Sequence, residues 1–391
     1  MKTPIRLAHL VTGTALLLVS GGSALAADAN AFASRLTAVL AKSQLTLTYS
    51  DAKADGDDVI LSGASVAAND EKVDLGDLTF SGVEGSPEEG YTVAEFEKDM
   101  TGKDWSVEGL KIQDLTIAGT STDPKSAPAA DVFFSDLTLD QLEIKDDGRT
   151  AFTTKDAKIT NTTSDSAISS EFDLGTIDMD VPEDSDARAA GTLREIGYDH
   201  LSGNISGKGS WTKSSGELTL QPLTIKADDA GTFNFSYKVL GYTPEFIASL
   251  SQLRQQMQSQ PEGQQAAGMA VMGLMAQLQL SRIVLSYEDD SLANRLLDFY
   301  AKKAGQPRDQ YVQTLTGSLS PMLASLKNPD FQKQIEDAVS TFLKDPKSLS
   351  IQAEPAQPIA AAQIMGAAMA APQTIPTLLE VKVEANQPVS E

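Results

Sequence analysis

Val73-Asp74-Leu75-Gly76-Asp77-Leu78-Thr79-Phe80 places apolar side chains first, third, sixth and eighth. The same spacing returns as Leu110, Ile112, Leu115, Ile117; as Leu137, Leu139, Leu142, Ile144; as Phe172, Leu174, Ile177, Met179; and as Leu218, Leu220, Leu223, Ile225. Val59, Leu61, Ala64, Val66 form a weaker copy. Independent placement of large apolar residues would give roughly 0.6 strict matches over this stretch, so five are a signal. In a plain strand, positions i and i+2 share a face and i+5 does not. One extra residue in the middle restores the phase, and a β-bulge supplies it while bending the strand. The central pairs suit that role, since Gly76-Asp77, Gly175-Thr176 and Gln221-Pro222 all weaken ladder pairing. The spacing therefore predicts an α+β fold: a strongly curled antiparallel β-sheet with bulged strands, packed by C-terminal helices. The rival is two short strands meeting at a corner in each copy, which makes a sandwich or barrel.

Around these copies, from Leu45 to Val239, runs of Thr, Val, Ile and Leu alternate with Gly, Asp, Ser and Pro clusters, as strands and turns do. Asp55-Gly56 falls between Leu45 to Tyr49 and Val59 to Val66, and Asp147-Gly148 between Leu137 to Ile144 and Thr150 to Thr160. Both read as tight hairpins. The copies start at unequal intervals, which argues against a regular solenoid. Before the strands, Phe32, Leu36, Val39 and Leu40 give one side of a helix with Asn30 as N-cap. Pro182 to Gly197 reads as an excursion between strands.

From Thr243-Pro244 the composition changes. Residues 241–391 carry 15 acids and 11 bases, against 39 and 18 in residues 27–240. Ser291 caps a helix with Leu292, Leu296, Phe299 and Tyr300 that stops near Gly305. Asn328-Pro329 starts another, through Phe331, Ile335, Val339, Phe342 and Leu343, that Asp345-Pro346 ends. Ile283 to Tyr287, Leu349 to Ile351 and Leu379 to Val383 are strand-like and rejoin the sheet. The expected organisation is a signal peptide over 1–26, an acidic β-rich region over 27–240 and a helix-rich region over 241–391.

The 391 residues carry a formal charge of −23 and no basic stripe, which argues against a nucleic-acid partner. Without cysteine there are no disulfides, thiolate sites or thiol nucleophiles. Lys2 and Arg6, the apolar Leu10 to Val19 and Ala24-Leu25-Ala26 form an export signal cleaved after Ala26, so the expected location is a periplasm. Removing it takes His9 and leaves His200 alone, too few histidines for a multi-His metal site. Ala266 to Ala276 is about half the ~20 apolar residues of a transmembrane helix, so no span is expected in the mature chain.

Tyr287-Glu288-Asp289-Asp290-Ser291-Leu292, with Asn294-Arg295-Leu296-Leu297, Ala304-Gly305 and Phe342 to Leu349, resembles the C-terminal part of uncharacterised periplasmic proteins of alphaproteobacteria. The preceding strands are more distantly similar to AsmA-type envelope proteins. That likeness implies a long sheet forming an apolar trough for lipids and carries over no catalytic residue.

Candidate sites follow from the same residues. Asp51, Asp55, Asp57 and Asp58 miss the EF-hand spacing and read as a turn, although so acidic a face could hold divalent ions weakly. His200 beside Asp199 lacks a Gly-x-Ser-x-Gly elbow, and two tryptophans are few for a sugar cleft. An enzyme is therefore the minority reading, and no cofactor is expected. Met257, Met269, Met272, Met275, Met365 and Met369 offer adaptable apolar surfaces, with Gln252 to Gln265 as a helix hairpin or mobile flap over the cavity they would line. With Leu115, Ile117, Leu142, Ile144, Ile177 and Met179, the last five of these methionines are the expected lining of a groove between sheet and helices. Its expected occupant is a lipid or acyl chain; the alternative is a structural adaptor that contacts an envelope protein.

Overall fold

The computed structural model describes residues 28–68, 71–120, 131–182, 188–259 and 264–388, with the side chains of Glu71, Arg188 and residues 254–269 outside that description. The expected signal segment therefore lies outside the described residues. The chain forms two compact units, up to Thr176 and from Ile177. The sheet in both is large and antiparallel.

The first unit opens with α1 (Ala29–Lys42) and continues through β1 (Thr46–Thr48), β2 (Asp51–Asp55), β3 (Asp58–Ala68), β4 (Glu71–Ser86), β5 (Gly90–Thr101) and β6 (Trp105–Ala118). It ends with β7 (Val132–Phe133), β8 (Asp136–Asp146), β9 (Arg149–Thr163) and β10 (Ala167–Asp173). Strands β3, β4, β5, β6, β8, β9 and β10 follow one another as antiparallel neighbours, a meander, and β1 and β2 both pair with β3. Asp147-Gly148 closes β8 onto β9 with φ of 49° and 79°, the two positive values a type I′ turn requires. Gly56, at φ 64°, turns β2 rather than the expected Leu45 to Tyr49 onto β3. Tyr49 lies outside any strand, and Thr46–Thr48 pairs farther along β3, with Leu47 opposite Val66.

The apolar phase is kept across the central pairs. Leu78 and Phe80 are buried and Val73 and Leu75 half-buried, while Asp74, Gly76, Asp77 and Thr79 are exposed. The extra residue takes a left-handed conformation at Gly63, Gly76, Asp114 and Gly175, with φ between 49° and 67°. That conformation turns its N–H away from the ladder, and such a donor needs another partner. Aspartates supply it: Gly63 donates to Asp77 at 2.9 Å and Gly175 to Asp173 at 2.8 Å. Gly82 and Gly109, two further left-handed positions, donate to Asp58 and Asp99 on neighbouring strands. Part of the acidic composition of this unit is thus structural. The ladder slips register around Gly63 and Gly76, where Leu61 faces Leu78 and Ala64 faces Gly76, and again in the Leu218 copy, where Leu220 faces Tyr237 and Leu223 faces Phe235 across the bulge at Gln221-Pro222.

Helix α1 starts at Asp28 rather than Asn30; the Asp28 carboxylate accepts from the N–H groups of Asn30 and Ala31. Phe32, Leu36 and Val39 belong to one core with Leu61, Phe80, Tyr91 and Val93 of the strands. The Phe32 ring meets Phe80 at 5.1 Å and Tyr91 at 5.3 Å, edge on. Arg35 anchors the helix by donating to the carbonyls of Ala118 and Gly119.

The second unit runs β11 (Thr176–Asp180), α2 (Arg188–Glu195), β12 (His200–Thr212), β13 (Glu217–Ala227), β14 (Gly231–Leu240), α3 (Pro244–Ser259), α4 (Gln264–Met275) and β15 (Gln279–Asp289). It continues with α5 (Leu292–Lys303), α6 (Arg308–Leu323), α7 (Pro329–Lys344), β16 (Ser348–Ala353), β17 (Ile359–Ala360), α8 (Ala361–Ala370), α9 (Ile375–Leu378) and β18 (Val381–Ala385). The strand order is β11-β12-β13-β14-β15-β16-β18, antiparallel throughout. The strand-like runs after residue 280 do rejoin the sheet. The expected excursion over Pro182 to Gly197 contains helix α2, built on Arg188–Glu195. Helix α7 begins as expected, with Asn328 accepting from Phe331 N–H at 3.1 Å, and lays Ala338 and Phe342 on Val383 and Ala385.

Candidate functional site

Strand β14 alternates more cleanly than any other: Phe233, Phe235, Tyr237 and Val239 against Asn234, Ser236 and Lys238. Register carries that alternation across the unit, because residues directly opposite share a face. Ile205 faces Ile225, Ile225 faces Phe233, and Phe233 faces Tyr287. One step along, Leu223, Phe235, Leu285, Ile351 and Val383 form a second row over five strands. Ile177 and Met179 of β11, opposite Gly203 and Leu201, extend the same face. The opposite face carries Thr224, Asn234, Ser286 and Ser350 in one row, with a Thr224–Asn234 hydrogen bond at 2.8 Å. The sheet is two-faced.

Helix α7 covers only one end of the apolar face, where Phe342 meets Tyr287 at 6.3 Å and Val383 and Ala385 are buried. Away from it, Ile225 is 40% exposed, Leu285 37%, Ile351 43% and Met179 39%. Single exposed hydrophobes are ordinary, whereas contiguous ones mark binding surfaces. The face is an open apolar floor.

A polar latch bounds it beside α7. Tyr287 donates to Asp289 Oδ1 at 2.7 Å and to Ala230 O at 3.1 Å, and burial pushes its phenol well above the usual tyrosine range. Ser291 occupies the N-cap position of α5 as expected, but the capping bonds come from Asp289, which accepts from Ala293 N–H at 2.7 Å and from Asn294 Nδ2 at 3.0 Å. Ser291 donates instead to the Asp229 carbonyl, which Tyr198 OH also reaches at 2.9 Å, and the Arg295 guanidinium lies 4.5 Å above the Tyr198 ring. The Tyr287-to-Arg295 segment is thereby explained as a strand-to-helix joint.

His200 stands on the polar side of the sheet, between two carboxylates of β11. Its Nδ1 is 3.0 Å from Asp180 Oδ1 and its Nε2 3.3 Å from Asp178 Oδ1. Asp180 foremost raises the imidazole above its ordinary value; partial desolvation opposes this and Asp178 adds to it. Ser202 donates to Asp178 at 2.7 Å rather than to the ring. With both nitrogens facing carboxylates, this histidine presents no free lone pair to a nucleophile.

The expected groove residues are dispersed. Leu115 and Ile117 are sealed in the core under α1. Leu142 and Ile144 are half-buried on β8, and Ile177 with Met179 sits at the margin of the open face. Helices α4 and α8 do touch each other. Met272 and Met369 point outward, 55% and 83% exposed, Met275 and Met365 are half-buried, and the side chains of Met257 and Met269 lie outside the described residues. A cleft of about 660 Å³ lies beside α8, lined by Gln363, Ala367, Lys327, Asn328, Thr374 and Thr377 among others. Neither α8 methionine lines it. The floor residues Phe233, Phe235, Leu285 and Ile351 were missing from the expected set, although the alternation of β14 pointed to them.

Among the described residues no helix is long and apolar enough to cross a membrane, and no cluster of three or more His, Asp or Glu could hold a metal ion. Residues 224–386 match a family model described as an uncharacterized protein. That segment contains the Leu285–Ile351 floor, helix α7 and the polar latch apart from Tyr198. No curated protein matches the chain.

Proposed function

We propose that the protein is a non-enzymatic periplasmic binding protein of envelope maintenance that takes a lipid acyl chain on the open apolar face of its second unit. The observation that carries this reading is the row Leu223, Phe235, Leu285 and Ile351, contiguous across four strands and partly open at Leu285 and Ile351. Covering such surface releases roughly 25 cal/mol for each Å² of apolar area removed from water. The bulge at Gln221-Pro222 bends β13 under that row and favours a curled floor over a flat one. Strands that curl toward a ligand, with helices α4 and α8 at one end, make a trough rather than a closed cavity.

Native mass spectrometry of protein purified from a membrane-containing extract tests the reading. Co-purified lipid that disappears in the Phe235→Asp, Leu285→Asp variant supports it; protein of unchanged fold without lipid removes it. The exposed, uncharged helix α8 favours a second reading, an adaptor that docks to an envelope protein through Met369. Photo-crosslinking from positions 285 and 369 in cells separates the two: an adaptor gives one reproducible protein adduct, and a lipid binder gives lipid adducts at 285.

A further inference from the structure

Two uncharged stretches border the cleft beside α8. No charged residue occurs over 310–326 or over 355–379, in a chain whose formal charge is −23. The first stretch ends with the exposed Met322 and Leu326, and Lys327 follows it into the cleft wall. The second contains α8, which gives Gln363 to the cleft and leaves Met369 83% exposed. At about 660 Å³ the cleft falls in the ~300–1,000 Å³ range of small-molecule sites.

Its chemistry is that of an anion site. Lys327 is the one ionisable group in the described lining, and it makes no ion pair among the described residues. The side chains of Gln363, Gln373 and Thr377 likewise have no protein hydrogen-bond partner there. Asn328 ties the two walls together: its Oδ1 accepts from Phe331 N–H and its Nδ2 donates to the Gln373 carbonyl at 2.9 Å. Asp330 and Glu380, acids close by in sequence, do not line the cleft, and Glu380 accepts from Ala356 N–H. Lys327 is also held at a cost. Its φ of 52° is left-handed, a conformation that Gly or Asn adopts more cheaply. A lysine kept in such a position points to a use for its side chain.

The lining also chooses among anions. An ammonium suits a phosphate oxygen, and free amides and a hydroxyl suit the hydroxyls of a polyol. The described lining has neither carboxylate nor aromatic ring to receive the cationic nitrogen of a choline or ethanolamine headgroup. Uncharged borders let so acidic a protein approach an anionic lipid surface, and exposed Met322 and Leu326 give it apolar contacts there.

We propose that this end of the second unit docks on membranes: the cleft takes the phosphodiester of an anionic phospholipid with a neutral, hydroxylated headgroup, and Met322 and Leu326 enter the acyl boundary. What the contact delivers rests on the acyl-chain reading above; the contact itself does not.

Sedimentation of the mature chain, from Ala27, with vesicles tests it. Binding must be stronger to equimolar phosphatidylglycerol and phosphatidylcholine than to phosphatidylcholine alone. It must fall about fivefold in Lys327→Asn, as expected for one cation lost at an anionic surface, and persist in Lys327→Arg. It must also fall in Met322→Ser, a change at an exposed position that leaves the fold intact. No vesicle binding, equal binding to the two kinds of vesicle, or equal binding by the parent and Lys327→Asn overturns the proposal. Glycerol phosphate bound in solution without vesicle binding marks a site for free phosphate esters and overturns docking too. A fluorescent fatty acid separates the two readings. Vesicles bound but no fatty acid overturns the acyl-chain reading and leaves docking standing; fatty acid bound but no vesicles does the reverse.

Discussion

Leu285 of β15 lies directly opposite Ile351 of β16, and both remain more than a third exposed on a face that continues through Phe235, Phe233, Ile225 and Val383. A buried cross-strand pair of this kind is ordinary; an open one is a surface kept apolar at a cost in solubility. Replacing both by Asn is expected to change stability by less than about 1 kcal/mol, since neither fills a packed core. It is expected to abolish binding of a fluorescent fatty acid. Thermal unfolding and a binding titration on the same sample read both. Intact binding with an unchanged melting temperature would place the ligand elsewhere.

Phe32 is the opposite case, fully buried between Phe80 and Tyr91. Phe32→Ala leaves a cavity under α1 and is expected to cost about 3–5 kcal/mol. Urea unfolding followed by far-UV circular dichroism measures it. A loss below about 1 kcal/mol would show that α1 adds little to the first unit.

Much of the fold is legible in the sequence because bulged strands leave a periodic trace. The x-x pair at Gly76-Asp77 keeps Leu78 in phase with Leu75, and Asp147-Gly148 states its hairpin outright. The site is less legible. Leu115 and Ile117 share the pattern of Leu223 and Ile225, yet α1 covers the first pair and Ile225 stays open. Periodicity tells which face is apolar; it does not tell whether a helix far away in sequence lies on it. At α5 the cap position is legible and the side chain that makes the cap bond is not, for a related reason. Ser291 is a good N-cap type, but its hydroxyl is drawn to Asp229, 62 residues away, and Asp289 takes over the cap.

That division of labour is testable. Asp289 accepts from Tyr287, Ala293 and Asn294; Asp289→Ala strands the last two donors, leaves Tyr287 only the Ala230 carbonyl, and is expected to cost about 2 kcal/mol or more. Ser291→Ala leaves Asp229 O still bonded to Tyr198 OH and is expected to cost about 0.5–1 kcal/mol. Equal losses in chemical denaturation would remove the larger capping share assigned to Asp289.

Acid should weaken the first unit through its cross-strand pairs. Lys111 of β6 bonds both Glu95 and Glu97 of β5, and the hydrogen bond from Lys111 chiefly holds Glu95 below its ordinary value of 4.5. A depressed folded value means stability that is present above the unfolded value and lost as pH falls through the folded one. The parent is therefore expected to lose stability below about pH 4.5 more steeply than Lys111→Met. Melting temperatures between pH 3 and pH 6 decide it, and parallel curves would remove the pair from the acid response.

Gly56 and Gly175 separate two reasons for glycine. Both have positive φ, 64° and 65°. A Cβ at Gly56 would meet nothing, whereas at Gly175 it would collide with the Lys155 carbonyl across the strand pair. Gly56→Ala thus costs only the conformational strain, about 1 kcal/mol, and Gly56→Asn less, because Asn tolerates the left-handed region. Gly175→Ala adds a backbone clash with β9 at the kink that follows β10, and is expected to cost clearly more than Gly56→Ala. Chemical denaturation of the two Ala variants side by side gives the ranking. If Gly175→Ala proves the milder change, the Asp173-bonded kink is not a fixed feature, and the phase-restoring role assigned to the extra residue fails with it.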